Sequence, residues 1–438
     1  MKHKQQVAIF WFRRDLRLDD NAGLYHALKA HEQVLPVFIF DTGILDRLDH
    51  KEDKRVAFIH DAVLKLDEEC KEAGSSLKVM HSTPLKAFKE LCAAYDVQAV
   101  YTNHDYEPAA IRRDQEISAF LLTQEISLHT YKDQVIFDKD EVLKADGTPY
   151  TVFTPYSKIW KQKLTPFYYK PYPAKQLSGH LLKTVPHSIP SLKALGFKDI
   201  DAAAPERVIH KSIIRDYEKT RNFPALHGTT RLSVHLRFGT VSIRKLVKVA
   251  LDNNETWLNE LIWREFFMCI LYHYPHVVDH SFKPKYEFIQ WRNHETEFQQ
   301  WCTGKTGYPI VDAGMRELNA TGFMHNRVRM ITASFLTKHL LIDWRWGEAY
   351  FAEKLLDYEL SSNNGNWQWA AGCGCDAAPY FRVFNPEEQQ KKFDKDAAYI
   401  RQWVPEYGTD AYPGPMVDHK AARERALAAY KKALQEHQ

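Results

Sequence analysis

The periodicity of this chain changes once along its length, and that change constrains the architecture more than any other feature. Up to about residue 137, short apolar runs alternate with helical patterns. Val7–Phe12, Val34–Phe40, Leu77–His81 and Ala99–Asn103 are the apolar runs, rich in Val, Ile and Phe. The helical stretches between them lie near 21–30, 53–73, 84–95 and 108–122. Such alternation predicts right-handed βαβ units, hence a doubly wound parallel sheet with helices on both faces. From about residue 203 the strand signal is gone. Helical patterns at 203–220, 242–252, 256–273, 295–302, 310–319, 325–340, 347–357 and 417–436 predict an all-helical second half. Residues 138–200 are interrupted by Pro149, Pro155, Pro166, Pro171, Pro173, Pro186 and Pro190, and carry only short helices such as 154–164. The expected organisation is an α/β domain over 1–137, a connector over 138–200 and an all-α domain over 201–438.

A chain of 438 residues has room for these domains and their cores. Its formal charge of +3 is nearly neutral, which leaves nucleic acid open as a partner, because a local basic stripe is what matters there. No segment approaches the ~20 apolar residues of a membrane span. The run Val7–Phe12 is too short for a signal peptide and meets Arg13, Arg14 and Asp15 at once. A cytoplasmic protein with reduced thiols is therefore expected. The Cys residues at 70, 92, 269, 302, 373 and 375 fit no zinc or iron–sulfur spacing. After the first strand no Gly-x-Gly-x-x-Gly appears, so the main cofactor is expected away from the usual dinucleotide position.

Polar groups concentrate between Asp357 and Pro386. Asp357, Glu359, the amides Asn363 and Asn364, the rings of Trp367 and Trp369, and Arg382 fall within this one segment. A plain core would not place so many polar groups beside two tryptophans, because each one buried needs a partner. A site for a large, flat, hydrogen-bonding ligand would. Cys373-Gly374-Cys375 reads either as a chelating pair or as small packing residues in a tight segment.

Other motifs carry a functional and a structural reading side by side. Gly228-Thr229-Thr230-Arg231-Leu232-Ser233 precedes a helical pattern; it suits a phosphate cradle or an ordinary N-cap. Glu260, Trp263, Arg264 and Phe267 share a helix face. They fit a pocket that stacks on a planar ligand, or an exposed ion pair beside a half-buried Trp. In Met324-His325-Asn326-Arg327-Val328-Arg329-Met330, Asn326 and Met330 share a face while Arg327 and Arg329 diverge, and Asp357 is a partner for Arg329. Trp291, Trp344 and Trp367 lie on three different elements; they form a chain of oxidisable rings or simply pack a core.

Taken together, these motifs identify the chain as a member of the photolyase and cryptochrome family, over nearly its whole length. The resemblance rests on Trp11-Phe12-Arg13-Arg14-Asp15-Leu16-Arg17, the Thr-Thr-Arg-Leu-Ser run, Gly304 to Asp312, His325 to Met330, Asn363 to Trp369 and Asp376 to Arg382. Within the family it is similar to the class I cyclobutane pyrimidine dimer photolyases. The resemblance implies FAD in the helical domain, with Tyr217, Thr229, Thr230, Arg231, Leu232 and Ser233 around its diphosphate and Trp257, Arg329, Asp357 and Glu359 along the flavin. Glu359 stands where the family usually has Asp. Asn363 matches the residue facing flavin N5, a position that separates repair enzymes from plant and insect cryptochromes, which have Asp and Cys there.

The same resemblance implies a lesion pocket at Glu260, Trp263, Asn326, Met330 and Trp369, and DNA contacts from Arg221, Arg264, Arg327, Arg382 and Gln389. It implies electron transfer to FAD through Trp367, Trp344 and Trp291. The implied partner is UV-damaged DNA, single- or double-stranded, met by a monomer. The implied reaction is light-driven dimer repair, with a cryptochrome-like photoreceptor as the alternative. Where folate-binding members carry an Asn-Glu pair, this chain has Ala109 and Ala110 after Tyr106-Glu107-Pro108. A folate antenna is thus not expected in that mode, and another pigment or none fits as well.

Overall fold

A computed structural model describes residues 4–436. It divides into two compact units that do not follow the chain in single stretches. One holds the residues up to Glu141 with Lys163–Val208 and Leu232–Val249; the other holds Val142–Gln162, Ile209–Arg231 and the chain from Ala250 onward.

The first unit is built on a five-stranded parallel sheet of β1 (Gln6–Phe12), β2 (Val34–Asp41), β3 (Lys78–Ser82), β4 (Asp96–Asn103) and β5 (Ser127–Tyr131), in the order β3-β2-β1-β4-β5. Helices α1 (Ala22–Ala30), α2 (Lys54–Glu72), α3 (Pro84–Ala94) and α4 (Pro108–Leu122) make the crossovers. The central strand β1 pairs Ala8 with Val34 on one side and Ile9 with Val100 on the other. Being covered on both faces, it is buried from Val7 through Phe12, which is why its sequence is a continuous apolar run rather than an alternating one. The fifth strand was not expected. It is a short edge strand, Ser-Leu-His-Thr-Tyr, largely exposed, so it has no apolar run to announce it. Leu232–Val249 joins this unit through charge: Arg244 bonds Asp20 and Asp133 at 2.7 Å each. Burial pushes the Asp133 carboxyl up, but Arg17 and Arg244 pull it down to about 2.

The second unit is helical, as its period predicts. Its helices include α5 (Phe153–Lys163), α6 (Lys211–Thr220), α7 (Glu255–His273), α8 (Pro309–Thr321), α9 (Asn326–Ser334), α10 (Trp344–Lys354), α11 (Leu360–Ala371), α12 (Pro386–Phe393) and α13 (His419–Glu436). The pattern expected over 203–220 becomes helix only from Lys211. The stretch expected over 325–340 is α-helical to Ser334 and closes in a wider π-turn, Phe335–His339. Helix α11 was not foreseen. Its Ser-Ser-Asn-Asn-Gly-Asn run has low helix propensity, and packing overrides it: α11 lies against α7, α9 and α10. The core of this unit is aromatic, with Trp301, Trp344 and Trp367 buried together.

Candidate functional site

One cavity of the helical unit collects much of what the sequence singled out. It is lined by Asn326, Arg329 and Met330 of α9, Phe351 of α10, the Asp357-Tyr358-Glu359 segment, and Ser362, Asn363, Asn366, Trp367 and Trp369 of α11. Three local devices hold these helices in place. His325 caps α9, its Nδ1 accepting the Arg327 N–H at 3.1 Å. Asp343 caps α10 in the same way through the Arg345 N–H. Gly347 of α10 lets Trp367 close in, because a Cβ there would stand 2.1 Å from the indole; Gly365 does the same for Phe267 of α7, at 2.2 Å.

The cavity's charges are paired. Arg329 grips Asp357 with one nitrogen at 3.0 and 3.2 Å from the two carboxyl oxygens, and its Nε donates to the Met324 carbonyl at 2.7 Å. Asn363 donates its amide to the side-chain Oε1 and backbone carbonyl of Glu348, at 2.8 and 3.1 Å. Burial raises the Glu348 carboxyl above its ordinary range, and the Asn363 bond works against that rise. Glu359 turns inward at the start of α11, where one oxygen accepts the hydroxyls of Ser361 at 2.6 Å and Ser362 at 2.9 Å. One buried polar atom next to this lining in sequence, Nε2 of His325 ahead of Asn326, has no partner within the protein. Unpaired buried atoms of this kind are rare in a closed core and ordinary in a ligand site.

Glu260 and Trp263 sit on α7 and do not line this cavity. Glu260 accepts a 2.6 Å ion pair from Arg221, whose guanidinium also lies 5.5 Å over the Tyr217 ring. Burial lifts the Glu260 carboxyl despite that pair, and burial with Glu260 nearby lifts the Tyr217 phenol. Trp263 is half-buried and stacks face to face on Phe153, with 3.7 Å between ring centres. Arg264 is half-buried next to it on α7. Arg327 diverges from Arg329 as expected: it bonds Asn222 at 2.7 Å and lies 4.4 Å over Phe393. Arg382 is exposed beside Phe384, and Gln389 sits on α12 with a buried carbonyl oxygen lacking a protein partner. Trp257 is buried on α7, its N–H taken by the cap Asn254.

The hydroxyl-rich run divides at Arg231. Gly228, Thr229, Thr230 and Arg231 belong to the helical unit, where Arg231 takes a left-handed φ of 52° and lies 4.5 Å over Phe323. Leu232 is buried ahead of a helix of only five residues, Ser233–Arg237, in the other unit. In that unit, Tyr106 and Glu107 are committed: Tyr106 to Asp138 at 2.8 Å, Glu107 to Arg14 and Arg237.

The tryptophans share one core. Trp367 meets Phe351 edge-on at 5.0 Å and Trp301 at 6.1 Å. Trp344 is buried with Arg345 stacked 4.8 Å over it, and Trp291 packs at the margin, edge-on to Tyr430 at 5.9 Å. Trp301, Glu348 and Phe153 were not singled out from the sequence. Nothing in their spacing marks them, since each reaches its partner across a tertiary contact.

Comparison with known proteins covers both halves. Residues 8–176 match the family described as DNA photolyase, and residues 257–410 match the FAD binding domain of DNA photolyase. A deoxyribodipyrimidine photo-lyase from Synechococcus is 37% identical over 96% of each chain. The crystal structure of a bacterial class III photolyase from Agrobacterium tumefaciens superimposes with a TM-score of 0.86 at 31% identity, covering 99% of this chain and 98% of that one. A cryptochrome from Synechocystis superimposes at 0.84 and 25% identity, covering 98% and 100%.

Proposed function

Since the chain belongs to the photolyase and cryptochrome family, with its FAD-binding domain, we propose that it repairs cyclobutane pyrimidine dimers in UV-damaged DNA under light. The observation that carries this reading is the sharing of one cavity by Asn363, Arg329 and Asp357, which the resemblance implies for the flavin, and by Asn326, Met330 and Trp369, which it implies for the lesion. A flavin held by the first group would stand next to a pyrimidine dimer extruded onto the second.

Arg329 and Asp357, with Trp257, Glu359 and the Thr229–Arg231 run, would hold FAD; the unpaired His325 atom beside the cavity-lining Asn326 fits a polar ligand of that kind. FAD bound there in its reduced form would supply light-driven one-electron donation to the dimer. Asn363 spends its N–H₂ on Glu348, so its carbonyl oxygen is the atom left to accept a hydrogen bond from the cavity side. Asn326 and Glu260 offer hydrogen bonds to base edges, and Trp263 and Trp369 offer stacking faces. Extruding the dimer costs a few kcal/mol, least where pairing is already damaged. Arg221, Arg264, Arg327, Arg382 and Gln389 would meet the strand's phosphates, supplying a local basic surface on a nearly neutral chain. Trp367, Trp344 and Trp291 would carry electrons inward to restore reduced FAD. We assign the chain to the cytoplasm as a monomer.

The test is direct. UV-irradiated oligothymidine is incubated with the reduced holoprotein in darkness and under blue light, and remaining dimers are counted. Dimers should disappear only in the light. No light-dependent loss would overturn repair and favour the second reading, a photoreceptor of the kind the Synechocystis likeness suggests.

A further inference from the structure

Trp263 is braced by residues that no family motif assigns to the site. Phe153, the first residue of α5, lies flat against the indole at 3.7 Å between centres and 5° between planes. Phe266 meets Trp263 edge-on at 5.6 Å, and Phe267 at 5.5 Å and 30°. A half-exposed Trp with only edge contacts would turn about its own side-chain torsions. A flat partner on one face removes that freedom and leaves one face to a ligand.

Phe153 is itself fixed. Its N–H opens a helix and has no intrahelical acceptor. Asp376 supplies one, its carboxyl oxygen accepting at 3.0 Å. A negative charge at a helix N-terminus is favourable, so the bond is reinforced by the helix dipole. Asp376 lies in the segment that leaves α11 after Trp369. A single carboxylate therefore ties the chain bearing one proposed stacking wall, Trp369, to the ring backing the other, Trp263.

We propose that Phe153 and Asp376 form a clasp that fixes the plane of Trp263, and that this fixed plane gives the site its preference for a covalently linked pyrimidine pair over an undamaged strand. The proposal rests on the dimer-repair reading above. The two rings of a cyclobutane dimer are joined at a set angle, whereas unlinked neighbours adapt their stacking. A rigid wall rewards the first and is neutral to the second; a mobile wall serves both alike. Phe153 and Asp376 are positioning residues in this scheme, since they act through Trp263.

The test measures binding of the holoprotein in the dark to one oligonucleotide with and without a thymine dimer, by fluorescence anisotropy. Phe153→Leu should weaken dimer binding about tenfold, the scale of one aromatic stacking pair, and leave undamaged binding unchanged. Asp376→Asn should shift the same ratio in the same direction by a smaller factor, and Phe153→Tyr should restore it. The FAD-to-protein ratio and the melting temperature check folding; if Phe153→Leu fails to fold, Asp376→Asn decides. Dimer preference intact in both variants overturns the clasp and leaves the proposed function standing. Equal loss for damaged and undamaged DNA also overturns it, since that marks a merely structural role. A wild-type protein with no dimer preference sinks both.

Discussion

Asn363 is anchored to Glu348 by a single nitrogen that serves two acceptors, the side-chain Oε1 at 2.8 Å and the backbone carbonyl at 3.1 Å. The amide is thereby turned so that its oxygen faces the other way. Glu348→Ala removes the side-chain half of that anchor. We expect reduced FAD to reoxidise in air about fivefold faster in this variant, the scale of one hydrogen bond. Glu348→Gln keeps an acceptor and should behave like wild type. Absorbance at the oxidised flavin band, followed after anaerobic photoreduction and air admission, checks both.

The Arg329–Asp357 pair is mostly buried, with 26% and 8% of the side chains exposed. Removing one partner of such a pair strands the other charge, at a cost of up to about 3 kcal/mol. Asp357→Ala should lower the melting temperature and, as Arg329 is released from the cavity wall, the FAD-to-protein ratio after purification. Differential scanning fluorimetry and flavin absorbance measure the two effects.

Gly347 sits inside α10, where Ala would normally be the better helix former. Here an added Cβ would lie 2.1 Å from the Trp367 ring and 2.6 Å from Leu336. Overpacking should prevail over propensity, so Gly347→Ala should destabilise by about 1–3 kcal/mol in urea unfolding. The displaced Trp367 should also slow photoreduction of oxidised FAD. Trp367→Phe should block that photoreduction, yet leave dimer repair nearly intact once FAD has been reduced chemically. Equal photoreduction in wild type and Trp367→Phe would rule out Trp367 as a donor.

His325 caps α9 through an unprotonated Nδ1, and burial with Arg329, Arg327 and Arg231 nearby lowers its pKa to about 4. An unfolded His titrates near 6.5. Above pH 6.5 both states are neutral and the residue adds no pH dependence. Between about 6.5 and 4 the unfolded chain binds the extra proton, so stability falls as pH falls, by at most about 1.4 kcal/mol per unit. His325→Asn keeps a capping acceptor without the titration. Its urea midpoint should lose this share of the decline between pH 6.5 and 4 while matching wild type near pH 7.5.

Much of the site was legible because its residues sit on one helix or one short segment. Asn326 and Met330 emerge from a four-residue spacing on α9, and the divergence of Arg327 from Arg329 follows from the same geometry. The pairing of Arg329 with Asp357 was legible as charge complementarity. Helix α11 was not, because local preference argues against it: Ser, Asn and Gly favour turns and caps, and only burial against α7, α9 and α10 offsets that. Strand β5 was missed for the opposite reason, since an exposed edge strand needs no apolar run.

What the sequence by itself determined is the class of architecture and the family. Hydrophobic period is a local property, and it dictates a buried parallel sheet followed by helices; long motifs in fixed order do the rest. The tertiary structure decided which residues share a wall. Asn363 with Glu348, Trp367 with Gly347 and Trp301, and Phe153 with Trp263 and Asp376 are contacts between separate elements. Their partners lie from 15 to more than 200 positions apart in the chain, and no local preference couples residues that meet only when whole helices pack.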